Sequence, residues 1–332
     1  MFFNKLAIAS VSLGQHPSHS LDRKILAASQ AGFQGIEIVF SDLDFYSTSN
    51  NLSILEGADR IKSLCSQKGL EIISYAPFEN YEGDRSPLND RLQTAALWIE
   101  VARRLHAPYL QVPSHYGTDP IGDETVIVSE LRQLSELGSS RQPLVSIAYE
   151  ALSWGTHCST WEDSLKVVNA VDRDNFGLCI DNFHVVTKVW GDACALSGKF
   201  PDADLRLAET LRRFVMECPM EKIFFIQLSD GEKFDPPFSK AHPWYLEGEA
   251  TQFTWSRHAR PFPLEKDLGA YMPMTEIAKA WFVDKGYEGW VSLETFDHRM
   301  RDEANGPEDS AQRGIQSWQR LQRNLKKTTE KL

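Results

Sequence analysis

The sequence predicts an α/β protein folded as a (β/α)8 barrel, because short β-rich runs alternate with longer helical patterns about eight times. Several β-rich runs are almost entirely apolar, as buried parallel strands are. Four of them also end on a residue with a side-chain oxygen. One domain over residues 1–332 is expected, since barrels of this kind reach that length. A doubly wound parallel sheet is the alternative fold.

The predicted elements follow one another in a regular order. Strands are predicted at residues 6–10, 35–40, 70–76, 108–113, 144–150, 176–181, 222–228 and 289–294. Helices are predicted at residues 21–31, 53–68, 87–106, 123–137, 160–172, 202–216, 273–285 and 308–326. A barrel with this order gathers the carboxyl ends of all its strands around one mouth.

One long irregular loop interrupts this regularity after strand 7. Residues 230–272 are rich in proline and aromatic side chains and follow neither the helical nor the strand period. Long irregular segments in compact domains are usually functional, so this segment could form a lid over the mouth. The alternative is a surface excursion packed by its own aromatic rings.

Composition and charge exclude several classes of protein. The formal net charge is −11, and no long Lys/Arg cluster is present, which disfavours a nucleic-acid groove. The five cysteines form no CxxC pair and indicate reduced thiols in a cytoplasmic protein. The apolar run at residues 6–13 is too short to span a membrane. The sequence is compatible with a homo-oligomer.

The oxygen-bearing residues at the four strand ends predict a metal site. They are Glu150, Asp181, Gln227 and Glu294. Three carboxylates within about 4 Å would repel by roughly 4 kcal/mol per pair at an effective dielectric near 20, unless a cation lies between them or some are protonated. Carboxylate and amide oxygens suit Mg2+ or Mn2+, and also Co2+, better than thiolate-seeking ions.

These residues, with His184 in Asp181-Asn-Phe-His184, resemble the metal-binding pattern of the sugar-phosphate isomerase/epimerase superfamily, the xylose isomerase-like TIM barrels. Further stretches are similar to the fungal 3-dehydroshikimate dehydratases of quinate catabolism. Those stretches are Ser12–Gly14, Gly32–Ile38, Pro77–Gly83, Tyr149–Gly155, Asn175–Asp181, Gly269–Pro273 and Gly289–Glu294. The similarity extends from about residue 5 to residue 325.

The resemblance implies a lyase that dehydrates 3-dehydroshikimate, a small anionic molecule, to protocatechuate. It also implies a divalent metal bound through Glu150, Asp181, Gln227 and Glu294. Bacterial relatives place a proposed catalytic His two residues after the first metal Glu, where this chain has Leu152. The proton-transfer group must therefore lie elsewhere.

His184, just beyond Asp181, is the first choice for proton transfer, and the alternatives are a substrate hydrogen bond or orientation of a ligand. Glu150 or Glu294 could instead move the proton while binding the metal, which resembles the superfamily epimerases. Glu37 on strand 2 is expected to make a polar contact inside the barrel.

Four residues are candidates for substrate binding. Arg260 matches the position of a substrate-binding Arg in the epimerases, and its paired donors suit a carboxylate or sugar hydroxyls. Lys233 and His242 follow strand 7 and could meet an anionic substrate, and Tyr81 lies in a predicted mouth loop. For the nearby Arg257, a surface salt bridge and a functional role are equally compatible with the sequence.

Other functions remain as alternatives to the dehydratase. A metal-dependent sugar or sugar-acid isomerase or epimerase would use the same metal and enediolate chemistry. A catalytically inactive barrel kept as a binding protein is less favoured, because all four predicted ligands are present. An endonuclease of related fold is disfavoured by the acidic net charge and by too few His ligands for a three-zinc cluster.

Overall fold

A closed barrel of eight parallel strands forms the centre of the protein. The computed structural model describes residues 4–329. The strands are β1 (Leu6–Ala9), β2 (Gly35–Val39), β3 (Glu71–Ala76), β4 (Tyr109–Pro113), β5 (Ser146–Glu150), β6 (Phe176–Asp181), β7 (Ile223–Leu228) and β8 (Trp290–Leu293). Each strand pairs with the next, and β8 closes the barrel on β1. The predicted (β/α)8 barrel is confirmed, and the doubly wound sheet is excluded.

Helices surround the barrel. They are α1 (Leu21–Ala31), α2 (Phe40–Ser49), α3 (Ile54–Lys68), α4 (Leu88–Leu105), α5 (Glu124–Ser139), α6 (Trp161–Val171), α7 (Asn182–Val189), α8 (Ala203–Glu217), α9 (Thr251–His258), α10 (Met274–Ala278) and α11 (Pro307–Thr329). A π-helical turn, Lys279–Asp284, continues α10. All eight predicted helices are present close to their predicted positions. No helix among residues 4–329 is long and apolar enough to cross a membrane.

Helices α2, α7 and α9 were not predicted from the sequence. The buried residues of α2 are Leu43 and Ser47, so this helix has no apolar stripe to reveal its period. Helix α7 follows β6 without a loop, because the Asp181 carboxylate accepts the Phe183 backbone N–H and caps the new helix. Helix α9 lies inside the segment that was predicted to be irregular.

Strand geometry explains why the predicted metal ligands face the barrel axis. A small apolar cluster fills the lower part of the barrel and consists of Ala7, Ile73, Ala148, Cys179 and Phe225. Because side chains alternate along a strand, the residue two positions further along faces inward again. On β5, β6 and β7 that residue is Glu150, Asp181 or Gln227. A polar layer therefore lies directly above the apolar cluster, at the mouth.

The segment between β7 and α10 is long, as predicted, and folds back over the mouth. The buried Asp230 carboxylate accepts the backbone N–H groups of Gly231, Leu264, Tyr271 and Met272, which draws distant parts of the segment together. Its helix α9 leads into a two-residue strand, Ala259–Arg260, that pairs with Phe296–Asp297. The segment is thus both packed internally and attached to the chain that follows β8.

Candidate metal centre and active site

The four predicted metal ligands are all buried at the mouth end of the barrel. Glu150 and Asp181 are the last residues of β5 and β6, Gln227 is the penultimate residue of β7, and Glu294 directly follows β8. Their exposed fractions are 4%, 2%, 0% and 9%. Burying so many carboxylates is unfavourable without compensating charge. The charged groups around these residues therefore determine whether the carboxylates stay ionised and whether a cation can bind beside them.

His184 lies beside two of these carboxylates. Single ligand-capable atoms of Glu150, Asp181 and His184 lie within 4.8 Å of one another. The imidazole Nε2 is 3.5 Å from Glu150 Oε1 and 3.5 Å from Asp181 Oδ2. The first turn of α7 places His184 there, because it is three residues after Asp181.

The tautomer of His184 follows from its other nitrogen. The backbone N–H of Ser153 donates to Nδ1 over 3.1 Å, so Nδ1 is an acceptor and the proton of the neutral ring is on Nε2. Burial lowers the pKa of His184 to about 4, so the ring is neutral at physiological pH. His184 therefore presents an N–H, not a lone pair, towards Glu150 and Asp181.

Gln227 connects the two sides of the polar layer. Its amide Nε2 donates to Glu294 Oε1 over 3.1 Å and to Glu37 Oε1 over 3.1 Å. Glu37 also accepts the hydroxyl of Ser74 over 2.6 Å, so the predicted polar contact of Glu37 inside the barrel is confirmed. Gln227 Oε1 accepts from Cys179 Sγ over 3.2 Å and from Gln111 Nε2 over 3.4 Å, so a cation bound through this oxygen would share or displace those contacts.

Gln111 on β4 belongs to the same layer and was not predicted from the sequence. Its Nε2 donates to Glu150 Oε2 over 2.8 Å, which orients that carboxylate. Glu150 Oε1 is buried and has no hydrogen-bond partner. A glutamine in the middle of the otherwise apolar run Leu110-Gln-Val112 was the available signal, since an interior polar residue in a barrel strand needs a partner.

The carboxylates strongly favour a nearby positive charge. Burial raises the pKa of Glu150 well above its usual range, and repulsion by Glu294 and Asp181 raises it further. Burial raises the pKa of Glu294 to about 8, although Arg260 opposes that shift. With its unpartnered Glu150 oxygen and its oxygen donors, the cluster fits a divalent cation that prefers oxygen ligands.

Arg260 supplies part of that positive charge. Its guanidinium is fully buried and lies over the rings of Phe183 and Phe296. Nη2 donates to Asp181 Oδ2 over 2.6 Å and to the backbone oxygen of Glu294 over 3.1 Å. Arg260 is also an ion-pair partner of a predicted metal ligand, and its predicted role in substrate binding stays a prediction.

A cavity of about 680 Å³ opens above the cluster, a volume suited to a small molecule. Glu150, His184, Arg260 and Glu294 contribute to its lining. Most of the remaining lining is apolar or aromatic and includes Phe40, Phe78, Trp98, Trp154, Phe253 and Phe296. The cavity can therefore hold a ring-shaped ligand with its polar edge on the carboxylates and its faces against aromatic side chains.

The structure places three predicted substrate-binding residues outside this cavity lining. The Tyr81 ring is buried, and its hydroxyl donates to the backbone oxygen of Glu130. His242 packs among aromatic rings of the segment after β7, next to Phe238. The Lys233 side chain is exposed to solvent. Loops have no periodicity from which the direction of a side chain could be predicted, and substrate binding by these three residues stays a prediction.

Comparisons with known proteins agree with this architecture. The family model described as xylose isomerase-like TIM barrel matches residues 25–321. A 3-dehydroshikimate dehydratase of Neurospora crassa is 36% identical over 97% of this chain and 95% of the relative. A 3-dehydroshikimate dehydratase of Pseudomonas aeruginosa is 31% identical over 89% of this chain, but the match spans only 38% of that longer relative.

Among solved structures, a xylose isomerase-like TIM barrel/4-hydroxyphenylpyruvate dioxygenase fusion protein superposes with a TM-score of 0.76. It is 27% identical in sequence, and the match covers 99% of this chain and 44% of the fusion protein. The barrel described here therefore corresponds to one part of that larger protein.

Proposed function

Because this chain belongs to the xylose isomerase-like TIM barrel family and, within it, to the 3-dehydroshikimate dehydratases, we propose that it removes water from 3-dehydroshikimate to form protocatechuate. The observation that carries the proposal is the cluster of Glu150, Asp181 and His184 beside a cavity with aromatic walls, which Glu150, His184 and Glu294 line. This arrangement suits a small oxygenated ring that becomes aromatic.

The proposed metal ligands are Glu150, Asp181, Gln227 and Glu294, and Mg2+ or Mn2+ fits their oxygen atoms best, with Co2+ next. When bound, such a cation supplies a Lewis acid for the ketone oxygen of the substrate. We do not include His184 among the ligands. Its Nδ1 already accepts the Ser153 N–H, so a lone pair on Nε2 would require a proton on Nδ1 opposite that donor.

The reaction requires two proton movements. Dehydration breaks the C–H bond next to the ketone and the C–O bond of the hydroxyl one carbon further, which releases one water molecule. The remaining dienone becomes aromatic when one proton of the ring CH2 group moves to the former ketone oxygen. Each movement needs a group within hydrogen-bond reach of the ring, and a well-placed acid or base accelerates such a step by about 10²–10⁴-fold.

Glu150 and Glu294 are the proposed proton acceptors. Both line the cavity, and without a bound cation burial raises the pKa of each, whereas a bound cation would favour the ionised form that can accept a proton. His184 is the proposed hydrogen-bond donor, because its Nε2–H faces the same space. A neutral imidazole can stabilise developing negative charge on an oxygen without having to be protonated.

The aromatic walls have a separate role. The edge of Trp154 packs on His184 with ring centroids 4.8 Å apart, and Phe253 packs on Trp154 at 5.2 Å. These rings keep water away from the reacting carbon and pack against the faces of the substrate ring. Exclusion of water strengthens the electrostatic effects of the buried carboxylates.

A direct assay tests this proposal. Purified protein, stripped of metal with a chelator and then supplied with Mn2+ or Mg2+, is incubated with 3-dehydroshikimate while the absorbance of the aromatic product is followed. Free ketoses in parallel reactions test the isomerase or epimerase alternative. Formation of protocatechuate without ketose interconversion supports the dehydratase, whereas the reverse result supports the alternative. The cytoplasmic location stays a prediction from the sequence.

A further inference from the structure

The cavity at the barrel mouth contains a second arginine, Arg257, which makes no contact with the carboxylate cluster. In the part of the chain that the structure describes, Arg257 and Arg260 are the two arginines that line this cavity. We propose that Arg257 binds the carboxylate of the substrate and so selects acids over neutral polyols. The inference rests on the proposed function, because it concerns the carboxylate of 3-dehydroshikimate.

Arg260 is poorly placed for that task, since most of its donors are already in use. Nε donates to Ser229 Oγ over 2.9 Å, and Nη1 donates to Ser256 Oγ over 3.2 Å. Nη2 is taken by Asp181 and by the Glu294 backbone oxygen. The charge of Arg260 is balanced by Asp181 and Glu294, because the Glu294 carboxylate also lies 3.4 Å from Nη2.

The shape of the substrate points to the outer part of the cavity. In 3-dehydroshikimate the ketone and the neighbouring hydroxyl lie on one edge of the ring, and the carboxylate lies across the ring from that hydroxyl. If the two oxygens face Glu150 and Glu294 at the floor, the carboxylate points away from the floor. It therefore needs a cation nearer to solvent than the fully buried Arg260.

Arg257 meets this requirement. It lies in the last turn of α9, and 51% of its side chain is exposed. Its acidic partner is Glu249, and the Nη1–Oε2 distance is 3.7 Å, longer than the 2.7–2.9 Å of a charge-assisted hydrogen bond. The backbone oxygen of Arg257 accepts from Arg301 over 2.8 Å, so the helix end is held while the guanidinium is loosely paired.

A continuous aromatic surface connects Arg257 with the floor of the cavity. The guanidinium lies over the Phe253 ring at 5.3 Å, Phe253 packs on Trp154, and Trp154 packs on His184. A substrate ring lying on this surface would pack against aromatic side chains in the cavity that both His184 and Arg257 line.

A pair of aromatic ligands tests the proposal independently of turnover. Protocatechuate and catechol share the adjacent ring oxygens, but only protocatechuate has a carboxylate. Their affinities are measured by calorimetry on Mn2+-loaded wild-type protein, Arg257→Gln and the control Lys240→Gln, which removes one exposed charge of the same segment outside the cavity. The ratio of the protocatechuate affinity to the catechol affinity is calculated for each protein. Comparing this ratio between the proteins removes the intrinsic difference in affinity between the two ligands.

We expect wild type and Lys240→Gln to prefer protocatechuate over catechol, and Arg257→Gln to lose roughly 10- to 100-fold of that preference, the range for a charged hydrogen bond. An unchanged ratio in Arg257→Gln, or a wild type without any preference, would overturn the proposal. Turnover of 3-dehydroshikimate is measured separately. If wild type does not convert it but the preference depends on Arg257, the dehydratase assignment fails and the carboxylate site stands.

Discussion

Nη2 of Arg260 lies 2.6 Å from Oδ2 of Asp181, and both side chains are almost completely buried at the floor of the cavity. Arg260 is thus a fixed counter-charge for the carboxylate cluster. A bound divalent cation would share that role, because it would balance the same carboxylates. The contribution of Arg260 to the free energy of unfolding should therefore depend on whether a metal ion is bound.

Replacing Arg260 with Gln should destabilise the protein by about 3–5 kcal/mol in the presence of a chelator, since it leaves a buried carboxylate unpaired. Saturating Mn2+ should reduce that loss. Denaturant unfolding with and without Mn2+ measures both values, and Arg141→Gln, an exposed charge, is the control. A loss of equal size under both conditions would mean that Arg260 and the metal do not share the carboxylates.

Gln111→Leu should weaken metal binding by about 10- to 100-fold, the usual effect of losing a partner that orients a metal ligand. The reason is the 2.8 Å hydrogen bond from Gln111 Nε2 to Glu150 Oε2. Titration of Mn2+ into the chelator-treated variant checks this, with the exposed Gln67→Leu as control. Unchanged affinity would show that Glu150 does not need Gln111 for its orientation.

His184→Ala should lower turnover by about 10²-fold or more with an unchanged metal content, because it removes the Nε2–H donor. His184→Gln should retain more activity than the Ala variant, since an amide N–H can replace that donor. Steady-state kinetics and metal analysis of both variants separate the possible roles. A Gln variant as inactive as Ala would favour a proton-accepting role, and loss of metal would make His184 a ligand.

Glu82 should make stability depend on pH. Burial raises its pKa to about 7, while its Oε1 accepts from the His115 N–H and the Tyr149 hydroxyl. Because the folded-state pKa exceeds the unfolded value, the stabilisation is fully present below about pH 4.3 and is lost as the pH rises through about 7. Relative to Glu82→Gln, the wild type should therefore lose roughly 1.4 kcal/mol of unfolding free energy per unit of pKa shift.

Denaturant unfolding of wild type and Glu82→Gln between pH 4 and pH 8 measures that difference directly, and the exposed Glu288→Gln serves as control. A constant difference across this pH range would show that Glu82 is not a buried titrating group. The measurement does not require the metal centre, since Glu82 lies outside the proposed ligand set.

The sequence predicted residue positions best within the barrel strands, because the regular repeat of a strand determines which way each side chain points. The apolar runs predicted all eight barrel strands, and their last residues placed Glu150 and Asp181 at the mouth, because alternation on a strand fixes which way a side chain points. The sequence was least informative where no period exists. Lys233 and Tyr81 lie in loops, where side-chain direction depends on tertiary contacts that a single sequence does not reveal. The ion pair of Arg260 with Asp181 was missed for the same reason, since a two-residue strand is too short to predict.

The most direct test of the account is the rate of protocatechuate formation from 3-dehydroshikimate by one preparation in three states. These states are chelator-treated, resupplied with Mn2+, and resupplied with Mn2+ after Glu150→Gln substitution. The account predicts that chelation abolishes the activity, that Mn2+ restores it, and that the variant stays inactive because the unpartnered Glu150 oxygen is lost. Full activity in the rigorously metal-free protein, or in Glu150→Gln, would contradict the account.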